Sequence, residues 1–145
     1  MPQSRVFSQA IAESPSLTEL KAKFDKVTYC QISDRCNDNL HINFFRNLRT
    51  NAIPIDYSSH IKSVEQFRQD FTNLFIKHIA YLFYLRPEYM GSSDYVDCLE
   101  CDLRPPEDSQ YWVSRLVQDI FDKIVTPHRP DLTDFLRENT VMQLR

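Results

Sequence analysis

Residues 64–85, VEQFRQDFTNLFIKHIAYLFYL, constrain the fold more than any other stretch of the chain. Val64, Phe67, Phe71, Leu74, Phe75, Ile79, Leu82 and Leu85 recur largely in steps of three and four, which lines up one stripe of an α-helix. Over residues 79–85 the side chains are apolar or aromatic nearly all round, so that end is expected to be enclosed by other elements. Ser63 followed by Gln66 reads as a capping box, and Arg86-Pro87 as a stop. The expectation is an all-α fold: a compact single-domain bundle of five to seven helices around this central helix. The central helix should pack against the faces of residues 17–31 and 112–124.

A single glycine, Gly91, narrows the function classes. Walker-type and dinucleotide-binding loops need several glycines so that the backbone can approach phosphate, and they are excluded on that ground. Asn-Gly, Asp-Gly and Gly-Gly pairs are absent, which disfavours a hairpin-rich sheet. A net charge of −3 over 145 residues provides no overall footprint for nucleic acid or an anionic membrane. No apolar run reaches the roughly 20 residues of a spanning helix, and the first residues lack the apolar core of a signal peptide. A cytoplasmic location is the resulting expectation, with the four cysteines reduced or metal-bound rather than in disulfides.

Taken in order, residues 1–15 form a looser N-terminal segment or a short helix over residues 5–13. Ser16 with Glu19 makes the clearest capping box, opening a helix with Leu17, Leu20, Phe24 and Val27 inward. It should fade near Ser33, because DRCNDN at residues 34–39 is rich in turn formers. A third helix is expected over residues 40–50 with Leu40, Phe44, Phe45 and Leu48 inward, then a connection at 51–59. Asp108 should cap a helix over 109–125 that Thr126-Pro127 ends, and Asp131 a last short helix carrying Leu132, Phe135 and Leu136. Val141, Met142 and Leu144 in the tail either dock or stay mobile.

Residues 87–108 stand out as an acidic insertion between helices. They hold seven acids against one base, a net −6 that leaves +3 on the rest of the chain. A structureless loop of that length is unusual in a compact domain. A short helix over 93–103 is therefore expected, capped by Ser92 or Ser93 and anchored by Val96, Leu99 and Leu103. Tyr81, Phe83, Tyr84, Tyr89, Tyr95 and Tyr111 crowd around it. Tyrosine offers contact area at low entropic cost, and a carboxylate cluster steers a basic partner.

The leading functional reading is a non-enzymatic protein-interaction or regulatory module. It binds another protein, or a second copy of itself, through Tyr89, Asp94, Tyr95, Asp97, Glu100 and Asp102. One alternative is zinc held by the Cys-x-x-Cys pair Cys98 and Cys101, with Cys36 and His41 or Cys30 completing the set. Carboxylate neighbours and a helical position argue against that, and a redox role is weaker because those carboxylates oppose thiolate formation. A second alternative is a small helical ribonuclease using Arg35 and His41, whose guanidinium and imidazole suit phosphodiester chemistry. The turn-like CNDNL between them and the acidic balance both count against it. His78 falls on the apolar stripe and reads as a core or boundary histidine with one hydrogen-bond partner. Arg46, Arg49, Lys62, Arg68 and Lys77 read as the wet faces of amphipathic helices. No catalytic serine set or calcium loop stands out.

Overall fold

A computed structural model describes residues 17–40 and 57–145, and among them the secondary structure is helical, with β pairing confined to isolated bridges. The α-helices are α1 (Thr18–Ala22), α2 (Lys26–Leu40), α3 (Tyr57–Leu85), α4 (Asp94–Glu100), α5 (Arg115–Ile120), α6 (Thr126–His128) and α7 (Pro130–Asn139). A π-helical turn at Phe121–Val125 joins α5 to α6 without a break, so the described residues form six helical rods. The fold class is all-α, as the periodicity implies. Contacts divide the chain into two compact units, Met1–Leu74 and Phe75–Arg145, with the boundary inside α3. The expected short helix at 5–13, Ser16, most of the expected helix at 40–50 and the connection up to residue 56 lie outside the described residues.

In the first unit the expected single helix after Leu17 is two. Leu17, Leu20 and Phe24 are buried, but the chain turns at Lys23–Phe24 and restarts. The restart is explained by Asp25. Its carboxylate accepts from the backbone N–H groups of Val27 (3.1 Å) and Thr28 (3.0 Å) and from the Thr28 hydroxyl (2.7 Å), which is helix N-capping chemistry. The Thr28 hydroxyl first, then the two backbone donors, hold the Asp25 carboxyl below its ordinary pKa. Val27, expected inward, is exposed.

α2 then runs straight through the turn formers to Leu40 instead of fading at Ser33. Ile32 is buried, and Arg35 forks onto Asp70 of α3 with Nε to Oδ2 and Nη2 to Oδ1 both at 2.7 Å. Gln66 also donates to Asp70 (3.0 Å), and the Tyr29 hydroxyl donates to the Asn73 carbonyl (3.2 Å). These tertiary bonds outweigh the weak local preference of Asp and Asn for turns. Gln66 is thereby taken from the expected capping box, and α3 already begins at Tyr57.

The same bonds orient α3. Val64, Phe67, Phe71 and Leu74, expected inward, are exposed, while Asp70 is buried. Farther along, in the second unit, Ile76, Ala80 and Phe83 are the buried positions of α3. His78 is exposed rather than a core or boundary residue.

The second unit has a core of Ile76, Ala80, Phe83, Met90, Phe121, Val125, Leu132, Phe135 and Leu136, closed by Met142 and Leu144. Phe83 meets Phe121 edge-on at 5.1 Å, and Tyr84 stacks on Phe135 at 6.0 Å. Asp108 does not cap a helix. It has φ 59°, a 3-10 turn follows at Ser109–Tyr111, and the helix starts only at Arg115 with the Ser114 hydroxyl as cap. Trp112 and Val113 are instead extended and bridge to Gln143 and Gly91, which docks the tail. Pro127 does not end the rod, because the preceding turn has already widened, with Thr126 N–H bonding to the Phe121 carbonyl. Asp131 sits in the first turn of α7 and pairs with Arg129.

Two expectations follow. The Arg35 guanidinium, as hydrogen-bond donor, holds the Asp70 carboxyl below its ordinary value. The stabilisation is therefore complete above the unfolded pKa of about 3.9 and is lost as pH falls through the lower folded value. Asp70→Asn should lower Tm by a few degrees at pH 7 and flatten the acid limb of a Tm-against-pH curve; an unchanged acid limb would count against the fork. Ser109 is fully buried and its Oγ has no hydrogen-bond partner among the described residues. Ser109→Ala should leave Tm unchanged or raise it, since it removes a desolvated hydroxyl, and a fall of several degrees by calorimetry would show that the hydroxyl is bonded.

Candidate functional site

The acidic segment is held at both ends by backbone. The Ser92 N–H donates to the Trp112 carbonyl (2.7 Å) and the Ser114 N–H to the Met90 carbonyl (2.8 Å), with Met90 buried beneath. The stretch is thus anchored at its base. α3 stops at Leu85 where Arg86-Pro87 predicts, and a 3-10 turn at Pro87–Met90 leads into the bridge at Gly91.

α4 occupies the middle of the expected 93–103 helix. Ser93 is at its N-cap position without a side-chain cap bond, and the Ser92 hydroxyl accepts from the Asp94 N–H (3.3 Å). Asp94 and Asp97 lie in the first turn, where negative charge complements the exposed N–H groups. The helix closes with Leu103 N–H on the Cys98 carbonyl (2.8 Å) and Asp102 N–H on the Leu99 carbonyl (3.2 Å). That bond pair is a Schellman closure, with Asp102 at φ 54° in the left-handed position usually given to glycine.

The faces of α4 are the reverse of those expected. Val96, Leu99 and Leu103, assigned as anchors, are 51%, 51% and 62% exposed, while Tyr95 and Cys98 are half-buried. Asp94, Asp97, Glu100 and Asp102 are all exposed, and none has an ion-pair partner among the described residues. Tyr89 is exposed, with the Arg86 guanidinium 4.7 Å from its ring centroid and donating to its hydroxyl (2.8 Å). Arg86 also pairs with Glu88, whose carboxyl is held low first by its own backbone N–H and then by that guanidinium. Of the six predicted contact residues, five therefore present exposed side chains on this segment, and Tyr95 is turned half inward.

Cys98 lies in α4 and Cys101 at its C-cap; Cys30 and Cys36 are exposed on α2. Among the described residues no three His, Cys, Asp or Glu side chains are grouped to hold a metal ion. Arg35 has two of its guanidinium nitrogens on Asp70, and His41 lies outside the described residues. No described helix is long and apolar enough to cross a membrane. No protein-family model, curated protein or solved structure matches the chain.

Asp102 gives a local test. Asp102→Gly should hold or raise Tm, because glycine adopts positive φ without steric cost, whereas Asp102→Val should lower it by a few degrees. Equal Tm values for the two variants in a thermal melt would place Asp102 elsewhere in φ.

Proposed function

We propose that the chain is a non-enzymatic interaction module whose working surface is the acidic segment at residues 87–108, docking a basic amphipathic segment of another protein. The single observation that carries this reading is the composition of the α4 surface. Three large apolar side chains, Val96, Leu99 and Leu103, are half or more exposed among four carboxylates without ion-pair partners. Scattered exposed apolar residues are ordinary, but an apolar ridge flanked by exposed carboxylates matches a helix with one greasy and one lysine-rich side. Carboxylates would speed encounter and set specificity, and the ridge would supply the area removed from water. Tyr89, in the same segment, adds an exposed ring with the Arg86 guanidinium over it.

The test uses a synthetic Lys/Leu amphipathic helical peptide and the full chain in a titration followed by fluorescence anisotropy. Neutralising Asp94, Asp97, Glu100 and Asp102 to the corresponding amides should weaken binding by tenfold or more with Tm nearly unchanged. Amides are the right choice at Asp102, since asparagine tolerates the left-handed conformation. Val96→Ser with Leu99→Ser should weaken binding at high salt as well, where screening removes most of the charge contribution. Unchanged affinity in the amide variant rejects the proposal.

A further inference from the structure

α3 carries an exposed apolar stripe within the first unit. Ile61, Val64, Phe67, Phe71 and Leu74 are between 42% and 68% exposed, and all lie in the first unit. Phe67 and Phe71 stack on each other at 6.3 Å, and the Glu65–Arg68 pair (2.7 Å) flanks them in solvent. α2 does not cover the stripe, because Arg35 and Tyr29 grip α3 at Asp70 and Asn73, a different side of the same turns. The exposed apolar area is on the order of 500 Å², at the upper end of what a monomer ordinarily leaves in one patch.

We infer that this stripe is a self-association surface, covered by the same stripe of a second copy of the chain. Val64, Phe67, Phe71 and Leu74 are spaced three, four and three residues apart, a seam of the kind that pairs helices by knobs into holes. That spacing reads the same in both directions. Two copies related by a two-fold axis near residue 69 set Val64 against Leu74 and Phe67 against Phe71, the self-complementary arrangement an isologous dimer requires. Antiparallel pairing also places each helix's N-terminal half beside the partner's C-terminal half, which suits the helix dipoles. The two stripes would bury about 1,000 Å² together, the lower limit for a specific interface, so the dimer is weak and concentration-dependent.

Sedimentation velocity on the full chain, from about 1 to about 200 µM, tests this range. The sedimentation coefficient should rise with concentration, and more so in sulfate, which strengthens apolar association. Val64→Lys with Phe67→Lys should remain monomeric throughout and keep its circular dichroism and Tm, because both positions are exposed. The amide variants of α4 should dimerise like the parent, which separates this surface from the acidic one. A parent that stays monomeric to the highest concentration overturns the inference. So does loss of helicity in the lysine variant, which would mean the chain's own residues cover the stripe. A dimer abolished by the α4 amides but not by the lysine pair overturns it as well.

Discussion

The two hydrogen bonds from Arg35 to Asp70 decide more of this structure than their own strength suggests. A half-buried guanidinium and a buried carboxylate tolerate few geometries, since separating them would leave a desolvated charge. Joined at 2.7 Å, they keep α2 helical through a stretch that favours turns and fix which side of α3 it meets. Once that side is set, the phenylalanines at 67 and 71 have to point away from α2. The polar contact thus leaves the apolar stripe on a side of α3 that α2 does not cover.

In the second unit, dense aromatic packing around Phe83 and Phe121 takes the organising part. Ala80, with no exposed surface and little bulk, occupies the buried side of the helix close to Phe83. The tail docks here by extended backbone and by Met142 and Leu144, with Arg145 exchanging hydrogen bonds with the Gln118 side chain and lying over Trp112. The acidic segment leaves this core at Met90 and returns to it at Ser109. It is a surface feature on a tethered base, consistent with the interaction role proposed for it and unlike a mobile linker.

Strong local signals in the sequence were realised. The stop at Arg86-Pro87, the inward set Leu132, Phe135 and Leu136, and a short helix between Ser93 and Leu103 all appear. Capping was harder to read, because several residues compete for each start. Asp25 outcompetes continuation of the first helix, and Ser114 replaces Asp108. The inward face of α4 was undecidable from its seven residues. Tyr95 with Cys98 and Val96 with Leu99 share the same three-residue spacing, so periodicity supports either face. The carboxylates of the candidate site were visible from composition; the exposure of Val96, Leu99 and Leu103 beside them was not.

What the sequence by itself determined is the helical class, the position of the long central helix and the charge of the segment that follows it. Those properties depend on residue type and local spacing, which the chain carries wherever it goes. Only tertiary structure decided the rotation of α3 and α4 about their axes, and therefore which apolar residues meet solvent. Rotation costs a helix nothing internally; it is set by partners distant in sequence, such as Arg35 for Asp70 and Phe121 for Phe83.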